Sequence, residues 1–321
     1  MDSCLARLLS CRHHDFLGAS VLRSLDLVVA VSRACVWLVL LTVIFVPLER
    51  LFALHPQKIF RKAILTDVAY YFLSSLVSGF LLGVPLMLVA WLVHRTIPGA
   101  FTSAVTAWPA WLRIVTALIV GEIGAYWGHR WSHEIPFLWR FHAIHHSAEH
   151  VDFLVSSRTH PVDLVFTRLC ALIPLYVLGL AAPLRGLAGL IPVLVLLLGT
   201  VWGFFVHANV RWRFGPLEWL IATPAFHHWH HTNDGPAYVN KNYASLLPWV
   251  DLLFGTLYLP KDKRPARYGI DEPLPASFLG QLVEPFLVSP VRTASRPAAA
   301  DPTFVRPLQF RRLPPRPLED C

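Results

Sequence analysis

The chain has 321 residues, is 55% hydrophobic and only 15% charged, and has a mean hydropathy of +0.50. These values exclude an ordinary soluble domain, in which about a quarter of the residues are charged, and point to a bilayer. The net charge of +8 does not signal nucleic acid, because the basic residues are scattered over loops and tails and form no stripe interleaved with exposed aromatics.

Residues 1–23 carry Asp2, Arg7, Arg12, Asp15 and Arg23 but no apolar core ending in a small-x-small site, so no cleavable signal is expected. Residues 24–107 read as N-terminal membrane spans. Val28–Pro47 is apolar apart from Arg33, and Val68–Val93 runs 26 residues without a charge. At about 1.5 Å per residue, the latter is long enough to cross a core of roughly 30 Å. Val28–Pro47, Trp108–Trp127, with Arg113 and Glu122, and Leu164–Leu184, with Arg168, are the weaker spans, and at least one of the three is expected to be tilted or re-entrant. Leu187–Val206 is a second charge-free run, of 20 residues, and with the preceding segment it reads as a hairpin turning near Pro183–Gly189.

Arg50, Lys58, Arg61 and Lys62 crowd the first loop between spans, whereas the second carries only Arg95. The positive-inside rule then places the first loop in the cytoplasm, together with the segments after the third span and after the hairpin. That count leaves the Arg-bearing N-terminus outside unless the first apolar segment does not fully cross. Tryptophans near span ends, such as Trp108, Trp131 and Trp249, read as an interfacial belt. Residues 260–321 form a Pro/Arg-rich tail, of which Arg296–Pro315 is expected to be disordered or laid along the surface. Five cysteines with no CxxC pair argue against both a disulfide framework and a thiolate metal site. The expected fold is all-α: a multi-span transmembrane helical bundle with a histidine-rich helical cap on the cytoplasmic side.

Twelve histidines fall between Gly128 and Thr232. Nine form compact groups: His129-x3-His133, His142-x2-His145-His146, a lone His207, and His227-x2-His230-His231. In an apolar chain each imidazole must be solvated, paired or bound to metal. Positions four apart share a helical face, so His129 and His133 can clamp one ion from successive turns. Each HxxHH triplet places two rings on one face and lets the third reach a second ion. So many imidazoles are too many for one tetrahedral zinc; two ions with four or five rings each fit the count, and the ligand type suits Fe, Zn, Cu or Ni.

His13, His14, His55 and His94 read as structural, His150 as a loop residue, and His228 as an intervening position that cannot face the same metal. His160 stands before Pro161, which would end a segment and fix its ring near the hairpin entrance. Glu122 is an ionisable group inside an apolar span. Steps of four, three and four connect Glu122, Tyr126, His129 and His133, so Glu122 and Tyr126 are expected behind the ligands, where a carboxylate orients an imidazole through its free N–H. The competing reading is a salt bridge to an arginine.

These boxes resemble the fatty acid hydroxylase and sterol desaturase superfamily of membrane-bound non-haem di-iron oxygenases. Further matches are Arg158-x-His160-Pro161, His207-x-Asn209, and Asn242-Tyr243 followed by Trp249-x-Asp251-x2-Phe254-Gly255-Thr256. Together they cover roughly Tyr126 to Thr256. Ala244 stands where many members have Gly, and His228 where Arg is common. The resemblance implies a catalytic domain over residues 108–259 with two iron ions, O2 as co-substrate and a lipid substrate taken from the bilayer. The iron ligands it implies are His129, His133, His142, His145, His146, His207, His227, His230 and His231, with His160 a possible tenth. No haem-binding domain is apparent, so a separate electron-donor protein is expected. No acid/base residue is assigned, and hydroxylation and desaturation stay open.

Two other classes compete. A divalent-metal transporter would place Asp, Glu and His within several mid-membrane segments, whereas here Glu122 is the one carboxylate deep in a span. A zinc-dependent membrane hydrolase would need HExxH, and His133-Glu134 lacks the second histidine because Phe137 occupies its position.

Overall fold

The structure is a computed structural model that describes residues 2–184 and 186–287, with side chains described from residue 25 onward. Among the described residues it is all-helical, with two isolated β-bridges and no extended strand. The helices are α1 (Asp2–Leu51), α2 (Ile64–Thr96), α3 (Gly99–Thr106), α4 (Ala110–Glu134), α5 (Pro136–His146), α6 (Pro161–Val177), α7 (Ile191–His207), α8 (Pro224–His230), α9 (Trp249–Phe254) and α10 (Phe278–Leu287). Four segments are long and apolar enough to cross a bilayer: Leu25–Leu51, Ile64–Thr96, Ala110–Glu134 and Gly186–His207. The chain is an integral membrane protein. Arg296–Pro315 of the expected tail, with Cys321, lies outside the described residues, as do the side chains of Cys4, Cys11, His13 and His14.

The weak span expected over Leu164–Leu184 is a shorter helix. α6 has 17 residues and stops at Val177, before Gly179 takes a positive φ of 71°. The expected hairpin is also looser than a packed pair: α6 lies against α4 and α2, whereas α7 lies against the turn at Phe153–Ser157 and α8. Gly124 and Gly128 explain the close approach of α4 to α6. A Cβ at Gly124 would sit 2.3 Å from the Cys170 carbonyl oxygen, and one at Gly128 would sit 2.8 Å from the Cys170 Cβ. Two glycines four apart on one face therefore let the backbones meet, as in other membrane helix pairs.

Prolines set the joints of the cap. Ile135 is extended (φ −91°, ψ 116°) because it precedes Pro136, so α4 ends there and α5 starts at once in a new direction. His160 is likewise extended before Pro161, and Thr223 before Pro224. The loop 52–63 reaches the same end of the bundle as the histidine boxes. The His55 amide donates to Asn209, and Arg61 pairs with Asp152 and Asp67. Loops 97–109 and 178–190 meet at the opposite end, where Arg113 donates to the Ala182 carbonyl.

Candidate metal centre

Nine of the ten expected ligands converge in two groups. His129, His133, His142, His146 and His230 form one, and His145, His207, His227 and His231 the other, with candidate ligand atoms in each group all within 4.8 Å of one another. Each HxxHH box feeds both groups. The i, i+4 pairs His142/His146 and His227/His231 stay together, while the i+3 rings, His145 and His230, cross to the other group. The groups adjoin: His146 and His231 stack with ring centroids 4.6 Å apart.

The sharp joint at Ile135 brings the first two boxes together, so that the His133 and His142 centroids are 4.7 Å apart. α7 ends at His207, whose ring meets that of His227 on α8 at 4.2 Å.

Hydrogen bonds at Nδ1 orient the rings. The Nδ1–H of His129 donates to the Tyr243 carbonyl (2.7 Å), that of His230 to Lys241 (3.0 Å), that of His207 to Gly203 (2.8 Å) and that of His145 to Arg158 (3.2 Å). A carbonyl only accepts, so the proton must be on Nδ1 and each Nε2 must be a bare lone pair. The Nε2 atoms of His145 and His207 nevertheless face each other at 3.3 Å, and that of His227 lies 2.9 Å from that of His207. In the other group, the Nε2 atoms of His142, His146 and His230 are buried with no partner. Converging, dehydrated lone pairs repel unless a cation lies among them, so the residues fit two metal ions. Burial first, and neighbouring imidazoles second, hold His145, His146, His227, His230 and His231 well below the usual imidazole range. The rings are neutral, as ligands must be.

His160, the possible tenth ligand, stands outside both groups. Its Nδ1 accepts the Val162 amide as the N-cap of α6, and its Nε2 donates to the Leu282 carbonyl of α10 (3.1 Å). Glu122 does not reach an imidazole either. Its carboxylate accepts the amides of Leu246 and Leu247 at 2.7 and 3.1 Å, so it is neither a ligand-orienting group nor an arginine partner. The Tyr126 hydroxyl meets Thr256 and Arg130, and its ring packs on Tyr243. Both residues support the loop behind the ligands.

The carboxylate that does orient a ring is Asp163, in the first turn of α6. It accepts Nδ1–H of His142 at 2.8 Å and the Ser132 hydroxyl at 3.0 Å. Its only sequence signal was its position two residues after Pro161 in the Arg158-x-His160-Pro161 element. The Asn242 motif also acquires a role. Asn242 sits in the left-handed region (φ 58°), donates to the carbonyls of Phe226 and Tyr258, and accepts the Tyr258 amide. That lock aims the flanking carbonyls of Lys241 and Tyr243 at His230 and His129. Asp251 fixes the next turn by accepting the amides of Tyr243 and Ala244 and the Thr256 hydroxyl. Behind His145, Arg158 is held by Asp67 (2.7 Å) and donates to the Ile144 carbonyl.

Residues 114–256 match the fatty acid hydroxylase family, a span that contains both histidine groups and Asp163. That stretch of the chain is thus similar to a fatty acid hydroxylase domain. It is similar to the ornithine lipid hydroxylase of Rhizobium tropici, at 36% identity over 179 residues (56% of this chain, 52% of that one). It is also similar to the alkylglycerol monooxygenase of Danio rerio (29% over 174 residues, 53% of this chain and 34% of that one). A third relative is a very-long-chain aldehyde decarbonylase of Oryza sativa subsp. indica (32% over 141 residues, 41% and 21%). The matches span about half of the first relative's length and less of the others. No solved structure matches.

Proposed function

We propose that this protein is a membrane oxygenase that uses O2 and electrons from a separate donor protein to hydroxylate or desaturate a C–H bond of a lipid. The observation that carries this reading is the convergence of nine imidazoles in two groups, five of them with their Nδ1 protons committed elsewhere, within the segment that matches the fatty acid hydroxylase family. His129, His133, His142, His146 and His230 would hold one iron ion, and His145, His207, His227 and His231 the other. Iron bound there would supply O2 activation and the oxidising power needed at an unactivated C–H bond.

The protein's own part is positional. Asp163 and the carbonyls of Tyr243, Lys241, Gly203 and Arg158 hold five of the rings at fixed angles, and burial keeps water from the centre. The substrate class is a fatty-acyl, sterol or related chain of lipid biosynthesis, drawn laterally from the bilayer. The activities for which these relatives are named, on an ornithine lipid, an alkylglycerol and a very-long-chain aldehyde, support a lipid of that kind. We place the histidine boxes on the cytoplasmic side, supported by Arg50, Lys58 and Lys62 at that end.

Neither alternative class gains support. Glu122 is engaged by backbone amides and Glu134 by Arg130, so neither of these carboxylates is free to serve a transport path or to act as the base of a hydrolase. The test is metal content per chain in anaerobically purified, detergent-solubilised protein, with Mössbauer spectra. About two irons per chain with a coupled-pair signal is the expected result. A single zinc, or no tightly bound metal, would overturn the reading.

A further inference from the structure

The end of the bundle opposite the histidines holds a cavity of about 710 Å³, lined by Ser103, Thr106, Trp108, Arg113 and Leu184 among others. That volume falls within the range of roughly 300–1,000 Å³ in which small-molecule sites occur. Arg113, in the first turn of α4, is only 6% exposed. Its Nη2 donates to the Ala182 carbonyl, while its Nε is buried without a partner. Among the described residues no carboxylate pairs with it. The sequence explains why: residues 68–121 and 164–217, which make both excursions to this end, contain no Asp or Glu. Asp26, on α1, does not line the cavity and makes no ion pair.

The histidine end is built the other way. There the buried guanidinium groups of Arg61 and Arg158 are matched by Asp67 and Asp152. A buried guanidinium with no counter-charge in the protein is strongly unfavourable, and is tolerated where an anion from outside completes it.

We propose that this cavity binds the phosphate group of a phospholipid from the leaflet opposite the histidine boxes. The fork of Nε and Nη donors suits a phosphate better than a carbonyl alone. α4 is 25 residues long and starts at the cavity, and its N-cap, Pro109, offers no side-chain hydrogen bond to the first turn, so the positive end of the helix adds to the same field. Trp111 and Phe101, exposed beside the cavity, give acyl chains an apolar surface. The proposal does not depend on the oxygenase reading.

Native mass spectrometry of the full-length protein in a non-ionic detergent tests it, with dioctanoyl phosphatidic acid, dioctanoylglycerol and inorganic phosphate as probes. One phosphatidic acid should be retained per chain and dioctanoylglycerol should not. Arg113→Gln should weaken retention about tenfold or more, and Arg113→Lys by less. If Arg113→Gln fails to fold, Ala188→Phe, which fills the cavity from the opposite wall, should abolish the adduct while leaving the guanidinium in place. Inorganic phosphate competing with the lipid at equal concentration would assign the anion site to free phosphate and overturn the lipid source. Equal retention by wild type and the folded variants, or equal retention of dioctanoylglycerol, would overturn the site.

Discussion

The two imidazole groups draw on the same boxes yet are backed differently. The four-histidine group has two rings fixed by neutral carbonyls, those of Gly203 and Arg158, which belong to a helix interior and to a turn braced by buried ion pairs. The five-histidine group has a carboxylate behind His142, and it takes the carbonyls behind His129 and His230 from one loop, residues 241–243. An anionic acceptor makes its imidazole a stronger ligand than a carbonyl does. The comparison teaches that one centre is held by regular structure, while the other is held by a carboxylate and a strained loop. Single substitutions should therefore separate them.

The largest effect is expected at a ligand. His145→Ala removes one of four rings and leaves the Nε2 of His207 facing only that of His227, so iron should fall from about two per chain to about one or less, with activity lost. Stoichiometric iron in that variant would break the assignment. Next is Asp163→Asn, which removes the charge behind His142 and leaves Ser132 a neutral partner. Metal affinity of the five-histidine group should drop about 10- to 100-fold, with the other group retained, as read by chelator competition and Mössbauer spectra. Equal loss from both groups would erase the distinction.

Asn242→Ala tests the loop. It removes three hydrogen bonds and puts a residue less suited to positive φ at 58°, so stability should fall by about 2–4 kcal/mol, with metal lost first from the five-histidine group. Gly124→Ala, whose Cβ would collide with the Cys170 carbonyl, should cost about 1–3 kcal/mol by forcing α4 from α6, and should loosen the His142–Asp163 contact that this packing sets. The smallest effect is expected at His160. His160→Ala removes a helix cap and should lower stability by about 1 kcal/mol with both irons kept. Loss of one iron would restore it as a tenth ligand.

Much of the site was legible from residue types alone. Eight histidines at i, i+3 and i+4 spacings, with a ninth standing alone, allow few outcomes in an apolar chain, and the break at Pro161 is a local rule. The charge-free runs likewise determined the strong spans, because length and hydropathy decide bilayer crossing without reference to neighbours. What remained hidden depended on contacts between distant segments. Glu122 shares a helical face with His129, yet a loop 124 residues away takes its carboxylate. Asp163 looked like one more polar residue at a helix start until the Gly124/Gly128 face brought α6 against α4 and placed it on His142. His160 stood in the Arg158-x-His160-Pro161 element of the resemblance, but α10 offered its ring a carbonyl. The sequence by itself determined which ligating side chains this protein can offer a metal, because ligand type and periodicity are local properties. Only the tertiary structure decided which ring joins which centre and which group stands behind it, because a hydrogen bond is decided by whichever donor and acceptor the packing brings within reach.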